Sequence, residues 1–268
     1  MKKKIILIIS LFLMITLVGC STEKEENTLK VGMELQYPPF ETTNLEGEPE
    51  GISVDLAKAL GEHLDREVEI QNIAWSGLIP ALQSNKVDVI ISSMSVRPDR
   101  EEVVDFSEPY AYASLAILAN KDSGIESIED LNSEDKTVAV KIGTTGYLYA
   151  TENLEKATIN TVDKADTAIL EVSQQKSDAF LYDQMTIFNA QKQYDDTTVA
   201  LLESFQENPE PWAMAVNKEN DELLKEINEF IKVYQEDGGF DKLGEEYLSD
   251  MKNTFEDLGL EFFFQPKN

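Results

Sequence analysis

Five residues, Val87-Asp-Val-Ile-Ile91, constrain this chain most: the run is almost continuously apolar, as expected of a parallel strand covered by helices on both faces. Helical patterns stand nearby to supply that cover. Ser53–Leu64 carries Leu56, Leu60 and Leu64 at helical spacing, and Trp75–Gln83 reads as a second helix, while Leu29–Met33 and Val68 with Ile70 mark further strands. That is a βαβ rhythm, and it restarts after Ala113–Ala119: strand Thr137–Val140, a Gly-Thr-Thr turn, helix Lys164–Gln175, strand Asp178–Tyr182. In that helix Ala165, Ala168, Ile169 and Val172 share a face, behind Asp163 as the expected N-cap. Trp212–Asn217 reads as extended, and Asp221–Tyr234 as a helix closed by Gly238-Gly239. With 268 residues the chain has room for two α/β lobes.

The N-terminus carries a different signal. Lys2, Lys3 and Lys4 precede an apolar stretch, Ile5–Val18, shorter than the ~20 residues that span a bilayer, so the segment reads as an export signal. It ends Leu17-Val18-Gly19-Cys20, and Cys20 is the only cysteine. This resembles the lipobox of bacterial lipoproteins, which implies a signal peptide over residues 1–19 and acylation of Cys20 as the first mature residue, anchoring the protein to the outer face of the cell membrane. Residues 20–28, polar and glutamate-rich, then read as a flexible tether. A single cysteine permits no disulfide and no cysteine-based metal site.

Charge narrows the partners. Fifty-one acids against 23 bases give a formal charge of −28, which repels phosphate backbones and sets nucleic acid aside as a partner. The only histidine, His63, falls near the end of an amphipathic helix and reads as a surface residue.

Open α/β sheets bind small molecules at the carboxyl ends of their strands. Four places qualify: Glu34 with Tyr37 and Phe40; Trp75; the string Ser92-Ser-Met-Ser-Val-Arg-Pro-Asp-Arg100; and Gly143-Thr-Thr-Gly146 together with Asp183. Phe40 is assigned to the core.

These strings, together with Gly51-Ile-Ser-Val-Asp-Leu-Ala57, Leu78-Ile-Pro-Ala-Leu82, Asp105-Phe-Ser-Glu-Pro-Tyr110 and Ser177-Asp-Ala-Phe-Leu-Tyr-Asp183, resemble the polar amino acid family of extracellular solute-binding proteins. The likeness runs from Leu29 to about Leu248. It implies an α/β, two-lobed type II periplasmic-binding-protein fold with two crossover strands, near Ala116–Ala119 and Met214–Val216. Lobe 1 would then be discontinuous, residues 29–116 and 215–268, and lobe 2 would be 117–214. The resemblance also implies roles in the cleft between lobes. Arg100, Ser95 and Thr145 would hold the α-carboxylate of an amino acid, aided by the turn at Thr144; Asp183, the Ser93 carbonyl and the Ser95 hydroxyl would hold the α-ammonium. Tyr37 and Trp75 would clasp the side chain, with Glu34 facing it where many relatives have aspartate. Residue chemistry leaves plainer roles open for some: Asp183 also suits a helix cap, Tyr37 and Trp75 the core, Thr144 and Thr145 a turn. Gly146 and Arg97 stand where the family often has glutamine and threonine.

A carboxylate beside aromatic faces suits a cationic side chain, so arginine, lysine or ornithine is the expected ligand, with glutamine or cystine as the alternative. The expected partners are ABC permease subunits, with the protein a monomer and no cofactor or metal. A ligand sensor is a second role for the same site, and a dehydratase on the same fold a third. The dehydratase reading lacks a nucleophile motif. The tail with Phe255 and Phe262-Phe-Phe264 is expected to pack on lobe 1.

Overall fold

The structure is a computed structural model that describes residues 27–206, 208–257, 259 and 264; the export signal, Cys20 and most of the tether lie outside these. The first half of the chain contributes strand β1 (Thr28–Met33), helix α1 (Ile52–His63), β2 (Glu67–Asn72), α2 (Leu78–Gln83), β3 (Val89–Ile90), α3 (Pro98–Glu101), β4 (Val104–Phe106), β5 (Ala111–Ala113) and β6 (Leu115–Asn120). There follow β7 (Thr137–Lys141), α4 (Thr145–Asn153), β8 (Thr158–Val162), α5 (Ala165–Ser173), β9 (Ala179–Asp183), α6 (Gln184–Gln193) and β10 (Thr198–Leu201). The chain closes with β11 (Glu210–Trp212), β12 (Ala215–Asn217), α7 (Asp221–Glu236) and α8 (Gly239–Asp257).

Two five-stranded sheets result, in the orders β2-β1-β3-β12-β4 and β8-β7-β9-β6-β10. In each, the first three strands are parallel, and the last two run antiparallel to their neighbours within the ladder β3-β12-β4 or β9-β6-β10. The apolar run at Val87–Ile91 behaves as its composition demands: Val89 enters one core cluster and Ile90 the cluster on the other face. Only these two residues count as strand, but the Asp88 and Ile91 N–H groups still donate to the Lys30 and Gly32 carbonyls and extend the ladder. The second sheet is likewise covered on both faces, with Leu181 in one cluster and Phe180 in the other.

Two expectations shift. Helix α5 has Lys164 at its N-cap position with no side-chain cap bond, so Asp163 lies one residue too early to cap it. The chain crosses between lobes through an antiparallel ribbon, β5 paired with β11. Ala116–Ala119 lie instead within β6, inside the second sheet, and Ala215 and Val216 within β12 of the first. A crossover and a buried strand are both short apolar runs, and pairing alone tells them apart.

The tail packs on lobe 1, as expected of it. Phe255 and Phe264 are buried in the cluster that includes Leu29 and Phe230, and Phe264 stacks on Phe240 at 5.8 Å. Met185 and Phe188 of α6 reach the same cluster from the second lobe, so α8 touches both lobes. Phe262 and Phe263 lie outside the described residues. His63 is exposed, beside the Phe230 ring.

Gly146 explains one departure from the family pattern. A Cβ there would stand 2.3 Å from the Leu181 carbonyl oxygen, so α4 lies against β9 at a distance that excludes any side chain. Overpacking of this kind costs ~1–3 kcal/mol. Gly146→Ala is expected to lower the thermal unfolding midpoint of the ligand-free protein by a few to about ten degrees. An unchanged midpoint in calorimetric unfolding would contradict this packing.

Candidate functional site

Parallel strands point their carboxyl ends in one direction, and the ends of β1, β3, β7 and β9 converge on one cleft. It encloses about 560 Å³ of non-atom space, open solvent at the mouth included. All nine residues expected at a ligand site line it: Glu34, Tyr37, Trp75, Ser93, Ser95, Arg100, Thr144, Thr145 and Asp183.

Arg100, one turn into α3, is 4% exposed. Its Nη1 donates to the Ser95 carbonyl at 2.7 Å and its Nη2 reaches across to the Gly143 carbonyl at 3.0 Å, with the guanidinium 5.2 Å from the Trp75 ring. Burial lowers its pKa to about 10, so it stays cationic at neutral pH. Arg97 also spans the cleft: it chelates Asp99 at 2.7 and 2.9 Å and donates to the Gly143 carbonyl at 3.4 Å.

On the opposite side Asp183 ends β9 and caps α6, its carboxylate accepting the Thr186 N–H at 3.0 Å and hydroxyl at 2.8 Å. Burial raises its pKa and the Thr186 N–H opposes that rise. Capping and pocket lining are therefore joint properties of one carboxylate. Thr144 is committed to the turn, since its hydroxyl donates to the Lys141 carbonyl at 2.7 Å and caps α4. Thr145 Oγ1 lies 3.5 Å from Ser95 Oγ, hydroxyl to hydroxyl across the lobes. Tyr37 stacks on Phe40 at 5.1 Å and meets Tyr182 edge-on at 6.1 Å, so one aromatic serves core and cleft.

Glu34 differs from expectation. Its carboxylate accepts the Trp75 N–H at 3.1 Å, and its other oxygen forms an ion pair with Lys141, the last residue of β7. Both side chains are buried, and Lys141 Nζ lies 5.4 Å from the Trp75 ring. The place against Glu34 and the indole, expected for a cation of the ligand, is taken by a cation of the protein. Removing one partner of such a pair costs ~3–5 kcal/mol, because the other stays charged in a dry site.

Reasoning from the strand ends did not single out Lys141, Glu41, Tyr182, Glu210 or Trp212. Lys141 closes a buried strand two residues before the Gly-Thr-Thr turn, and its partner Glu34 lies in the other lobe, so no local pattern announces the pair. Tyr182 sits next to Asp183 on β9 with its ring stacked on Phe180 at 5.1 Å, and Trp212 reaches the cleft from the crossover ribbon beside Ser95. Among the described residues no cluster of three or more His, Cys, Asp or Glu could hold a metal ion.

Comparison with known proteins bears on this cleft. Residues 29–250 match the model for bacterial extracellular solute-binding proteins, family 3. The L-cystine-binding protein TcyJ of Escherichia coli is 30% identical over 227 residues, 84% of each chain. The arginine-binding extracellular protein ArtP of Bacillus subtilis is 29% identical over 260 residues, 94% of this chain and all of its own. A solved ancestral arginine-binding protein bound to glutamine superposes with a TM-score of 0.75 at 34% identity, covering 83% of this chain and 98% of that one. Two lobes, two mixed sheets and a strand-end cleft make this a type II periplasmic-binding-protein fold, and the chain belongs to the bacterial extracellular solute-binding proteins of family 3.

Proposed function

We propose that the protein captures an L-amino acid with a polar side chain of no net charge, of the glutamine or cystine type, between its lobes and passes it to an ABC importer. The ion pair between Glu34 and Lys141 carries this reading. With Glu34 already neutralised, a cationic side chain entering the cleft would have to displace Lys141 or lie beside it, and either costs Coulomb energy in a site of low dielectric. An amide or similar group instead meets a neutralised pair, with Glu34 the acceptor that lines the cleft. The expectation of a cationic ligand rested on an unpaired Glu34, and the pairing removes that support. A cationic amino acid remains the second reading, favoured by Glu210, which also lines the cleft.

The α-carboxylate belongs on Arg100, Ser95 and Thr145, where a guanidinium and two hydroxyls face one another. The α-ammonium belongs on Asp183 with the Ser93 carbonyl. Glutamine-, cystine- and arginine-binding relatives support an amino acid as the ligand class. The family is an exported one, and Cys20, behind its apolar leader, supports a lipid anchor on the outer membrane face.

Two outcomes follow. Arg100→Ala is expected to lose ~2–5 kcal/mol of affinity for every amino acid that stabilises the parent protein, because all share the carboxylate. Titration calorimetry on both proteins reads this, and near-normal binding by the variant would overturn the assigned carboxylate seat. Cys20→Ser, exported normally, is expected to leave the membrane fraction for the soluble one; retention with membranes on fractionation would refute the anchor.

A further inference from the structure

Glu41, the residue after Tyr37-Pro-Pro-Phe40, lines the cleft yet is only 1% exposed. Three serines surround its carboxyl group. Ser53 Oγ, from α1, lies 2.6 Å and Ser93 Oγ 3.0 Å from Oε2, and Ser92 Oγ lies 3.3 Å from Oε1. Among the described residues no basic side chain forms an ion pair with it.

The two serines beyond β3 link this carboxyl group to residues of the proposed ligand seat. Ser92 Oγ also accepts the Glu34 N–H at 3.0 Å, and Ser93 holds a left-handed backbone, φ 48°. Glu41 thus stands one hydroxyl behind the Ser93 carbonyl. The groups that face it are otherwise acidic or neutral: Glu34 from the end of β1, whose charge is matched by Lys141 of the other lobe, and the hydroxyls of Tyr37, Tyr110 and Tyr182. The Tyr110 hydroxyl is buried, with no hydrogen-bond partner among the described residues. A carboxylate in such a place lacks a counter-charge until a cation arrives.

Resting on the amino-acid reading above, we propose that Glu41 is a proton-linked positioning residue of the ammonium seat: it carries a proton in the empty cleft and releases it to solvent when the ligand's α-ammonium docks. Serine hydroxyls serve both states, since each turns to accept from the acid or donate to the carboxylate. Burial, the largest influence, raises the Glu41 pKa to about 8 against the pull of the Ser53, Ser93 and Ser92 hydroxyls, and Glu34 adds to the rise. A cation at the Ser93 carbonyl acts in the opposite direction and favours the charged form. Binding that lowers a pKa releases protons and strengthens as pH rises toward the ligand-free value.

Titration of the unmodified protein with L-glutamine and L-arginine, in buffers of different ionisation enthalpy near neutral pH, counts the protons released. A net release approaching one proton per ligand is expected, with affinity rising up to about tenfold per pH unit between roughly pH 6 and 8. Glu41→Gln, which keeps partners for the serines, is expected to bind with neither proton release nor pH slope. Binding by the unmodified protein without proton release overturns the proposal even if the variant fails to fold, and so does equal release by a folded variant. Failure of the unmodified protein to bind any amino acid would sink the parent reading as well.

Discussion

A buried ion pair that joins two lobes demands that both strand ends arrive in register, and the contact between Glu34 and Lys141 makes that demand here. Glu34 follows β1 and Lys141 ends β7, so each charge is delivered by the central part of a parallel ladder held by covered, apolar strands. Neither lobe alone satisfies its own charge. The Arg100 and Arg97 contacts to the Gly143 carbonyl add charge-assisted bonds along the same seam.

The same pair orders the remaining chemistry. Arg100 and Lys141 both approach the Trp75 ring, and the Trp75 backbone N–H donates to Glu34, so this residue meets two cations and a carboxylate. Arg100 and Asp183 line the cleft as a pair of opposite charges that would complement a zwitterion, and Glu210 lines it as well. Glu41 extends this logic into the wall behind the proposed ammonium seat, where three serines hold a carboxyl group that no basic residue among those described offsets.

Much of this was legible in the sequence. Apolar periods located α1, α2, α5 and α7 and the buried strands β1, β3, β7 and β9, whereas α6, α8 and β8 were not read. The strand-end rule then marked four places, since parallel strands leave their carboxyl ends free, and the family resemblance picked from them nine residues that line the cleft. What stayed hidden was pairing. Nothing local distinguishes Lys141 from a solvated lysine, as its partner lies 107 residues away across a cleft that exists only in the folded chain. Glu41 was not singled out for the same reason, since the serines that surround it come from other parts of the chain. Gly146 could be seen to depart from pattern, but only the 2.3 Å approach to Leu181 explains why.

The central claim, that a resident lysine has taken the place of a cationic ligand, is tested most directly by competition calorimetry on the unmodified protein with L-glutamine against L-arginine. The account predicts that glutamine binds the tighter by at least about tenfold, or ~1.4 kcal/mol. Tighter binding of arginine would contradict it, since Glu34 could then not be holding Lys141 in the occupied cleft.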